Sequence, residues 1–256
     1  MDPIVIALIV VMSINLLVFP VAYKLQTDKL TDITYSLSFL TLIGFGFWKG
    51  EGWEDDHKII MGIILAAWSL RIGYFLLSRV IMMGRDKRFD EIRTNPKRFF
   101  RFFLLQGFAS WVISIPFLYY FFYHQTEDNY SILELLGWGI AIVGLIIETV
   151  ADQQKMNFKS KAGNGSKLYR AGLYKYVRYP NYTGEILFWI GICIASAGVF
   201  VGLRWLSLVS PFFIILLLLK VRGIPYLEKG RAKQYGDDKG YQSYLKKTKA
   251  LFPGIY

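Results

Sequence analysis

Gly172-Leu-Tyr-Lys-Tyr-Val-Arg-Tyr-Pro-Asn-Tyr-Thr-Gly-Glu185 is polar, aromatic and basic, yet it runs directly into an apolar stretch, residues 186–201, with the length of a membrane helix. Pro180 fixes its own φ at a helical value and disfavours the α region at Tyr179, so the pair opens a helix at 180. Asn181 and Glu185 then stand one turn apart on a shared face, at the edge of the hydrocarbon. A carboxylate at that depth is costly unless protein, water or a ligand faces it, which makes Glu185 a candidate functional residue. The competing reading is an ion pair with a nearby arginine or lysine that fixes helix packing.

Outward from this stretch, the composition is that of a membrane protein. The chain has 256 residues, 54% hydrophobic and 17% aromatic, with a mean hydropathy of +0.35. A formal charge of +11 cannot be spread through apolar runs, so the basic residues crowd the loops. That is the usual topology signal of membrane spans, and no nucleic-acid partner is expected. Cys193 is the only cysteine and lies in an apolar run, where packing is its expected role. The apolar N-terminal run lacks a basic leader and a small-residue cleavage site, so it reads as a retained span.

Seven apolar stretches can be drawn, at about 4–23, 33–48, 59–83, 103–123, 132–151, 183–201 and 205–221. Most approach the ~20 residues needed to cross a ~30 Å core. The expectation is an all-α polytopic membrane protein of about seven transmembrane helices, forming one domain over residues 1–256. Loops 49–58 and 124–131 are acidic, whereas 84–102, 152–182 and 222–256 carry most of the lysine and arginine. Seven spans put all three basic segments on one side, so the N-terminus is expected outside and the C-terminus in the cytoplasm.

The fifth stretch ends in Glu148, Asp152, Lys155 and Lys159, whose spacing of four, three and four puts them on one helical face. Tyr169, Arg170, Lys175, Tyr176, Arg178, Asn181 and Glu185 follow, and the last basic segment adds Arg222, Glu228, Lys229, Arg231 and Tyr235. The result is a cationic, aromatic mouth above a few buried acids and amides. Basic side chains neutralise phosphates, tyrosines stack on flat rings, and carboxylates or amides bind ribose hydroxyls or a carboxamide. An interface belt that meets anionic lipid headgroups is the alternative for the basic and aromatic residues. Acids and amides at helical spacing are what such a belt does not need.

Arg178-Tyr-Pro-Asn-Tyr-Thr-Gly-Glu185 resembles the Arg-His-Pro-Asn-Tyr-x-Gly-Glu signature of the steroid 5α-reductase superfamily, and more narrowly its bacterial DUF1295 branch. Glu148-Thr-Val-Ala-Asp-Gln-Gln-Lys-Met-Asn-Phe-Lys159 and the terminal Leu-Phe-Pro-Gly-Ile-Tyr resemble that branch as well, over roughly residues 60–256. Tyr179 departs from the pattern, standing where histidine is usual. The resemblance implies that NADPH lies against the last helices and their cytoplasmic loops, with Asp152, Tyr169, Arg170, Asn181, Glu185 and Arg222 on cofactor-contacting positions. Lys159 stands where arginine is usual, keeping the charge without the bidentate fork. Glu148 stands where some relatives carry asparagine, Arg85 matches a basic residue reaching the cofactor from the other side, and Tyr235 matches in the last segment. Tyr176 and Arg178 belong to the same mouth.

The resemblance also places a hydride acceptor among the first four helices, so the substrate side is expected mainly in 1–123 and the cofactor side mainly in 132–256. Candidates there are Asp32 and Tyr35, with Arg71 and Tyr74 three apart in the third stretch. Arg71 is an intramembrane charge needing a partner, which Asp32 or Glu54 would supply. The Gln-Glu pair of better-studied relatives is not found. The implied reaction is NADPH-dependent reduction of the C=C of a lipid or steroid-like 3-oxo-4-ene, with hydride added to the β-carbon. Tyr74 or Tyr35 suits the donor that polarises the carbonyl, since tyrosine stays protonated at neutral pH.

Other readings stay open. Isoprenylcysteine and phospholipid methyltransferases share an Arg-x-Pro-x-Tyr-x-Gly pattern but bind S-adenosylmethionine. A non-enzymatic protein that binds membrane lipids through its basic face is the further alternative. His57 and His124 fall in the two acidic loops, and no spacing of His, Cys or carboxylates is that of a metal-ligand motif, so no metal site is expected.

Overall fold

The computed structural model describes residues 1–83, 90–125, 129–221 and 223–252. Among them the chain is all-α, relieved by short 3-10 turns and one isolated parallel bridge between Val177 and Lys249. The helices are α1 (Pro3–Lys24), α2 (Lys29–Lys49), α3 (Asp56–Met83), the short α4 (Asp90–Arg93), α5 (Pro96–Tyr123) and α6 (Ile132–Lys159). They continue with α7 (Pro180–Ala195), α8 (Val209–Leu216), α9 (Ile224–Tyr235) and α10 (Lys239–Lys247).

Six runs among the described residues are long and apolar enough to cross a membrane: those of α1, α2, α3, α5 and α6, and the run Gly202–Tyr235. The protein is an integral membrane protein. The sequence count of about seven differs because α7 stops at 16 residues. At 1.5 Å per residue that is about 24 Å, short of a ~30 Å hydrocarbon core. Ser196 Oγ donates back to the Ile192 carbonyl at 2.8 Å, and the chain tightens into a 3-10 turn over Ala197–Val199. Local hydroxyl chemistry thus ends the helix inside an apolar run.

Helix starts follow capping rules. Asp2 Oδ1 accepts from the Ile4 amide at 2.8 Å with Pro3 in the first turn, and Asn95 Oδ1 accepts from the Arg98 amide at 3.1 Å with Pro96 behind it.

The chain divides into two compact units. The first comprises Met1–Trp138 and Ile192–Ser210, the second Gly139–Gly191 and Pro211–Tyr256. In the first, α1 packs on α2 and α5, and α2 packs on α3. Its interior is aromatic: Phe19, Phe99 and Phe103 meet edge to face, as do Phe39 and Trp68. Small residues let the helices approach, since a Cβ on Gly46 would lie 2.5 Å from the Phe121 ring. A buried polar knot ties three helices. Asn15, with no exposed surface, donates to the Val11 carbonyl and to Ser38 Oγ, and accepts from Gln106, which also reaches the Thr31 carbonyl.

In the second unit, Tyr179, Ile186, Ile224, Ala250 and Leu251 form the core. The amides of Arg178 and Tyr179 donate to the carbonyls of Lys249 and Ala250 at 2.9 and 3.0 Å, which pins the C-terminal segment beside the start of α7.

Candidate functional site

Within the second unit, α6 and α7 cross with their backbones in contact. A Cβ on Gly144 would lie 2.5 Å from the Phe188 nitrogen, and one on Gly184 would lie 2.6 Å from both the Glu148 nitrogen and the Gly144 carbonyl. Glycine at both positions is therefore a steric requirement. The crossing sets Glu148 beside Gly184, next to Glu185 in sequence. Glu148 and Asp152 are buried, and Lys155, Asn181 and Glu185 are half-buried. The acid-bearing face of α6 read from helical spacing is thus the face turned inward.

The turn that precedes α7 is held from α6. Gly172 has φ +57°, in the left-handed region, and a Cβ there would strike Gln154 Oε1 at 2.2 Å. Gln154 Oε1 instead accepts from the Leu173 amide at 3.0 Å. This seats Tyr174 in the interior with 2% exposure. Burial pushes the Tyr174 hydroxyl well above its ordinary pKa, and the Asp152 charge adds to the effect while Arg231 opposes it. Tyr174 Oη and Arg231 Nη1 are buried and have no hydrogen-bond partner among the described residues. The Tyr169 ring packs 5.5 Å from that of Tyr174 and 5.0 Å from that of Phe158.

Arg178, predicted at the cofactor mouth, is engaged inside the unit. Its Nε donates to Glu228 Oε1 at 3.0 Å and its Nη1 to the Thr248 carbonyl. Glu228 also accepts from Tyr179 Oη at 2.7 Å, and Arg231 lies over the Tyr179 ring, 4.4 Å from its centroid. Burial raises the Tyr179 hydroxyl pKa, with Arg231 opposing and Glu228 reinforcing. Tyrosine in place of a histidine thus serves as a neutral donor to a carboxylate. Lys159 is likewise spent on the chain itself, donating to the carbonyls of Gly165 and Lys167 and so folding the loop back onto the end of α6. Tyr235 Oη and Gln234 hold the same loop through the Ser166 carbonyl.

Arg170 and Tyr235 line a pocket of about 310 Å³ together with Phe158, Lys167, Leu168 and Asp238. Tyr176 is exposed. Arg85 and Arg222, both expected at the cofactor, lie outside the described residues. Sequence reading placed Glu228 and Arg231 in the basic segment without giving them a site role. Tyr174 and Gln154 it missed, because their significance comes from the turn at Gly172.

In the first unit the predicted substrate residues lie on two helices that pack together, Asp32 and Tyr35 on α2 and Arg71 and Tyr74 on α3. Asp32 pairs with Arg79 at 3.6 Å, two turns further along α3 than Arg71. Tyr35 meets the rings of Phe39 and Trp68 at 5.2 and 6.2 Å. Tyr74, three residues from the half-buried Arg71, is 70% exposed, and Glu54 is exposed in the 3-10 turn Gly52–Glu54. Ser36 Oγ donates to the Ser69 carbonyl at 2.7 Å, at a point where a Cβ on Gly73 would lie 2.6 Å from that oxygen. The buried Asn15 and the half-buried Gln106 add polar groups that carried no sequence signal. At the other end of this unit His57, His124 and Glu134, which no motif spacing connects, present ligand-type atoms within 4.8 Å of one another.

A family model described as a protein of unknown function, DUF1295, matches residues 18–248. The chain belongs to the DUF1295 family. This places it in the steroid 5α-reductase superfamily, as the resemblance at 178–185 implied. Steroid 5-alpha-reductase DET2 of Solanum lycopersicum is 30% identical over 133 residues, 52% of this chain and 46% of the relative. Human 3-oxo-5-alpha-steroid 4-dehydrogenase 1 is 37% identical over 62 residues, 24% of each chain. A probable O-methyltransferase, ustE of Ustilaginoidea virens, is 37% identical over 67 residues, 26% of this chain and 24% of the relative. The chain spans about half the length of the first curated relatives it matches. No solved structure matches it.

Proposed function

We propose that the protein is an NADPH-dependent membrane reductase that saturates the C=C of a lipid or steroid-like enone. The observation that carries the cofactor reading is the pair of buried donors, Tyr174 Oη and Arg231 Nη1, that no described group satisfies. Buried polar groups without partners are costly, so these two donors support the reading of a place that receives a ligand's acceptors. A dinucleotide phosphate fits the rest of the set. Arg231, Lys155 and Arg170 would meet phosphates. Asp152, Glu148, Asn181 and Glu185 would bind ribose hydroxyls and a carboxamide, and Tyr169 would stack. Arg85 and Arg222 complete the proposed set. Lys159, Arg178 and Tyr235 act one step back, holding the loop and the C-terminal segment that frame it.

The chemistry that NADPH would contribute when held by these residues is the hydride for the β-carbon of the enone. The protein's part is position and polarisation. Of the two tyrosines considered for the carbonyl donor, Tyr35 is the better assignment: it packs on the buried Phe39 and Trp68, whereas Tyr74 is 70% exposed. A dry, fixed donor would stabilise a developing enolate by a few kcal/mol, and the enolate would take its α-proton from water, leaving hydroxide to the solvent. The Asp32–Arg79 pair keeps the charge near Tyr35 balanced, and Arg71 and Glu54 are secondary candidates. Residues 1–123 would supply mainly the substrate side and residues 132–256 mainly the cofactor side. The proposed topology keeps the short α7 as a seventh crossing, with the N-terminus outside and the C-terminus in the cytoplasm, where the cofactor is found.

Titration calorimetry on the full chain in detergent, with NADPH, NADH and S-adenosylmethionine in separate runs, tests the reading. NADPH should bind with micromolar affinity or better, NADH more weakly and S-adenosylmethionine not at all. Absorbance at the nicotinamide band should then fall when a 3-oxo-4-ene steroid is added. Binding of S-adenosylmethionine without NADPH would instead establish a methyltransferase, the reading that the ustE likeness favours. Binding of neither, with affinity set only by anionic lipid, would leave a lipid-binding protein.

A further inference from the structure

The chain has two histidines, and both converge on one carboxylate. His57 is the second residue of α3, His124 caps the end of α5, and Glu134 sits in the first turn of α6. Glu134 Oε1 is 3.0 Å from His57 Nδ1 and 3.2 Å from His124 Nε2, and all three ligand-type atoms lie within 4.8 Å of one another. With metal–donor bonds of about 2.0–2.1 Å, the edge of a zinc tetrahedron is roughly 3.3 Å. The two separations to Glu134 Oε1 are near that edge, and the histidine nitrogens, within 4.8 Å of each other, would close by about an ångström or more to share a cation.

The surroundings have the form of a second coordination shell. The other nitrogen of His124, Nδ1, faces Asp55 Oδ2 at 3.4 Å. Asp55 is itself oriented by the amides of His57 and Lys58, which donate to its Oδ1 at 3.0 and 3.2 Å. Glu134 Oε2 accepts from the Ser131 amide at 2.8 Å, and Oε1, which faces both imidazoles, also accepts from the Tyr120 hydroxyl. A carboxylate behind a histidine fixes its tautomer and turns the opposite nitrogen lone pair toward a metal. The imidazoles also pack against aromatic rings, Tyr130 at 4.4 Å from His57 and Tyr120 at 4.6 Å from His124.

Charge points the same way. Asp55 and Glu134 carry two negative charges, both side chains are nearly inaccessible, and Lys58, 3.5 Å from Asp55, supplies one positive charge. A hydrogen-bonded alternative without metal requires His124 to donate from both nitrogens at once, to Asp55 and to Glu134. A divalent cation satisfies the same geometry with neutral imidazoles. Two imidazoles and one carboxylate select a first-row metal over magnesium or calcium, and three protein ligands leave a fourth position for water. From this geometry we infer that His57, His124 and Glu134 form a Zn²⁺ site, with Asp55 as its outer-shell anchor, that clamps the ends of α3, α5 and α6.

The test uses the full chain purified in detergent with a histidine-free tag, stripped with chelator, and then titrated with Zn²⁺ by calorimetry and with Co²⁺ by optical absorption. One Zn²⁺ per chain and intense visible bands of tetrahedral Co²⁺ are expected. His57→Ala and Glu134→Gln should each weaken Zn²⁺ binding at least 100-fold and abolish the bands, and Asp55→Asn should weaken it about 10–100-fold. Absence of stoichiometric Zn²⁺ or of tetrahedral Co²⁺ bands in the wild type overturns the site without recourse to any variant. Wild-type affinity in folded His57→Ala and Glu134→Gln proteins overturns it as well.

Discussion

Gly184 on α7 lies against the backbone of α6 so closely that a Cβ there would stand 2.6 Å from the Gly144 carbonyl oxygen and 2.8 Å from Glu148 Cβ. No flexible side-chain end is available to yield at the first of these contacts, so the helices must separate. Gly184→Ala should cost about 1–3 kcal/mol, as overpacking in a close-packed interior does. It should also weaken NADPH binding, because Glu148 moves with α6. Thermal unfolding in detergent reads the first effect and calorimetry the second. A variant with unchanged melting temperature would show that the two backbones do not meet.

Glu228 gathers three donors from distant parts of the second unit: Arg178, Tyr179 and Tyr241, the last at 3.4 Å. Arg178 is thereby committed to holding the C-terminal segment through Thr248 as well. Glu228→Gln should leave the helices intact but cost about 1–3 kcal/mol, since a charge-assisted acceptor is lost and a half-buried guanidinium is left short. Limited proteolysis should then cut near residues 249–252 faster than in the wild type. Equal cleavage rates would contradict the assignment of Arg178 and Glu228 as a clasp.

Asn15 has no exposed surface and links α1 to α2 through Ser38 Oγ at 3.1 Å and to α5 through Gln106 at 3.3 Å. Interhelical hydrogen bonds of this kind in membrane proteins are worth about 0.6–1.7 kcal/mol. Asn15→Ala removes the bonds and leaves a small void beside Gly107, where a Cβ would already be 3.2 Å from the asparagine nitrogen. The expected loss is about 1–2 kcal/mol, by the bond and void together. Steric trapping or thermal unfolding measures it.

The start of α7 was legible in the sequence because Pro180 acts within one turn, whereas hydropathy put the fourth stretch at about 103 and passed over the Asn95-Pro96 cap that starts α5. The end of α7 was not legible, since the Ser196 hydroxyl competes with the helix from within an apolar run. The buried face of Glu148 and Asp152 could be read from the helical period. The engagement of Arg178 could not, because its partners Glu228 and Thr248 lie 50 and 70 residues away. His57 and Glu134 are 77 residues apart, so their meeting belongs to the packing of α3 against the start of α6 and to no motif.

Tyr174 separates stability from function. Its hydroxyl is buried with no partner among the described residues, so Tyr174→Phe should leave neutral-pH stability unchanged or raise it slightly in the absence of ligand. In the unfolded chain tyrosine ionises near pH 10, whereas burial and the Asp152 charge hold the folded Tyr174 above that value. The proton is therefore bound more tightly in the folded state. The stability linked to it is complete below pH ~10 and declines as pH rises toward the folded pKa. Tyr174→Phe should flatten this alkaline decline, measured as melting temperature between pH 9 and 11. If Tyr174 Oη meets a cofactor oxygen, the same change should lower NADPH affinity about tenfold, the equivalent of one lost hydrogen bond of roughly 1.4 kcal/mol. A phenylalanine variant equally stable at neutral pH yet with wild-type NADPH affinity would remove Tyr174 from the proposed site. A variant that unfolds at neutral pH would show that the hydroxyl has a structural partner after all.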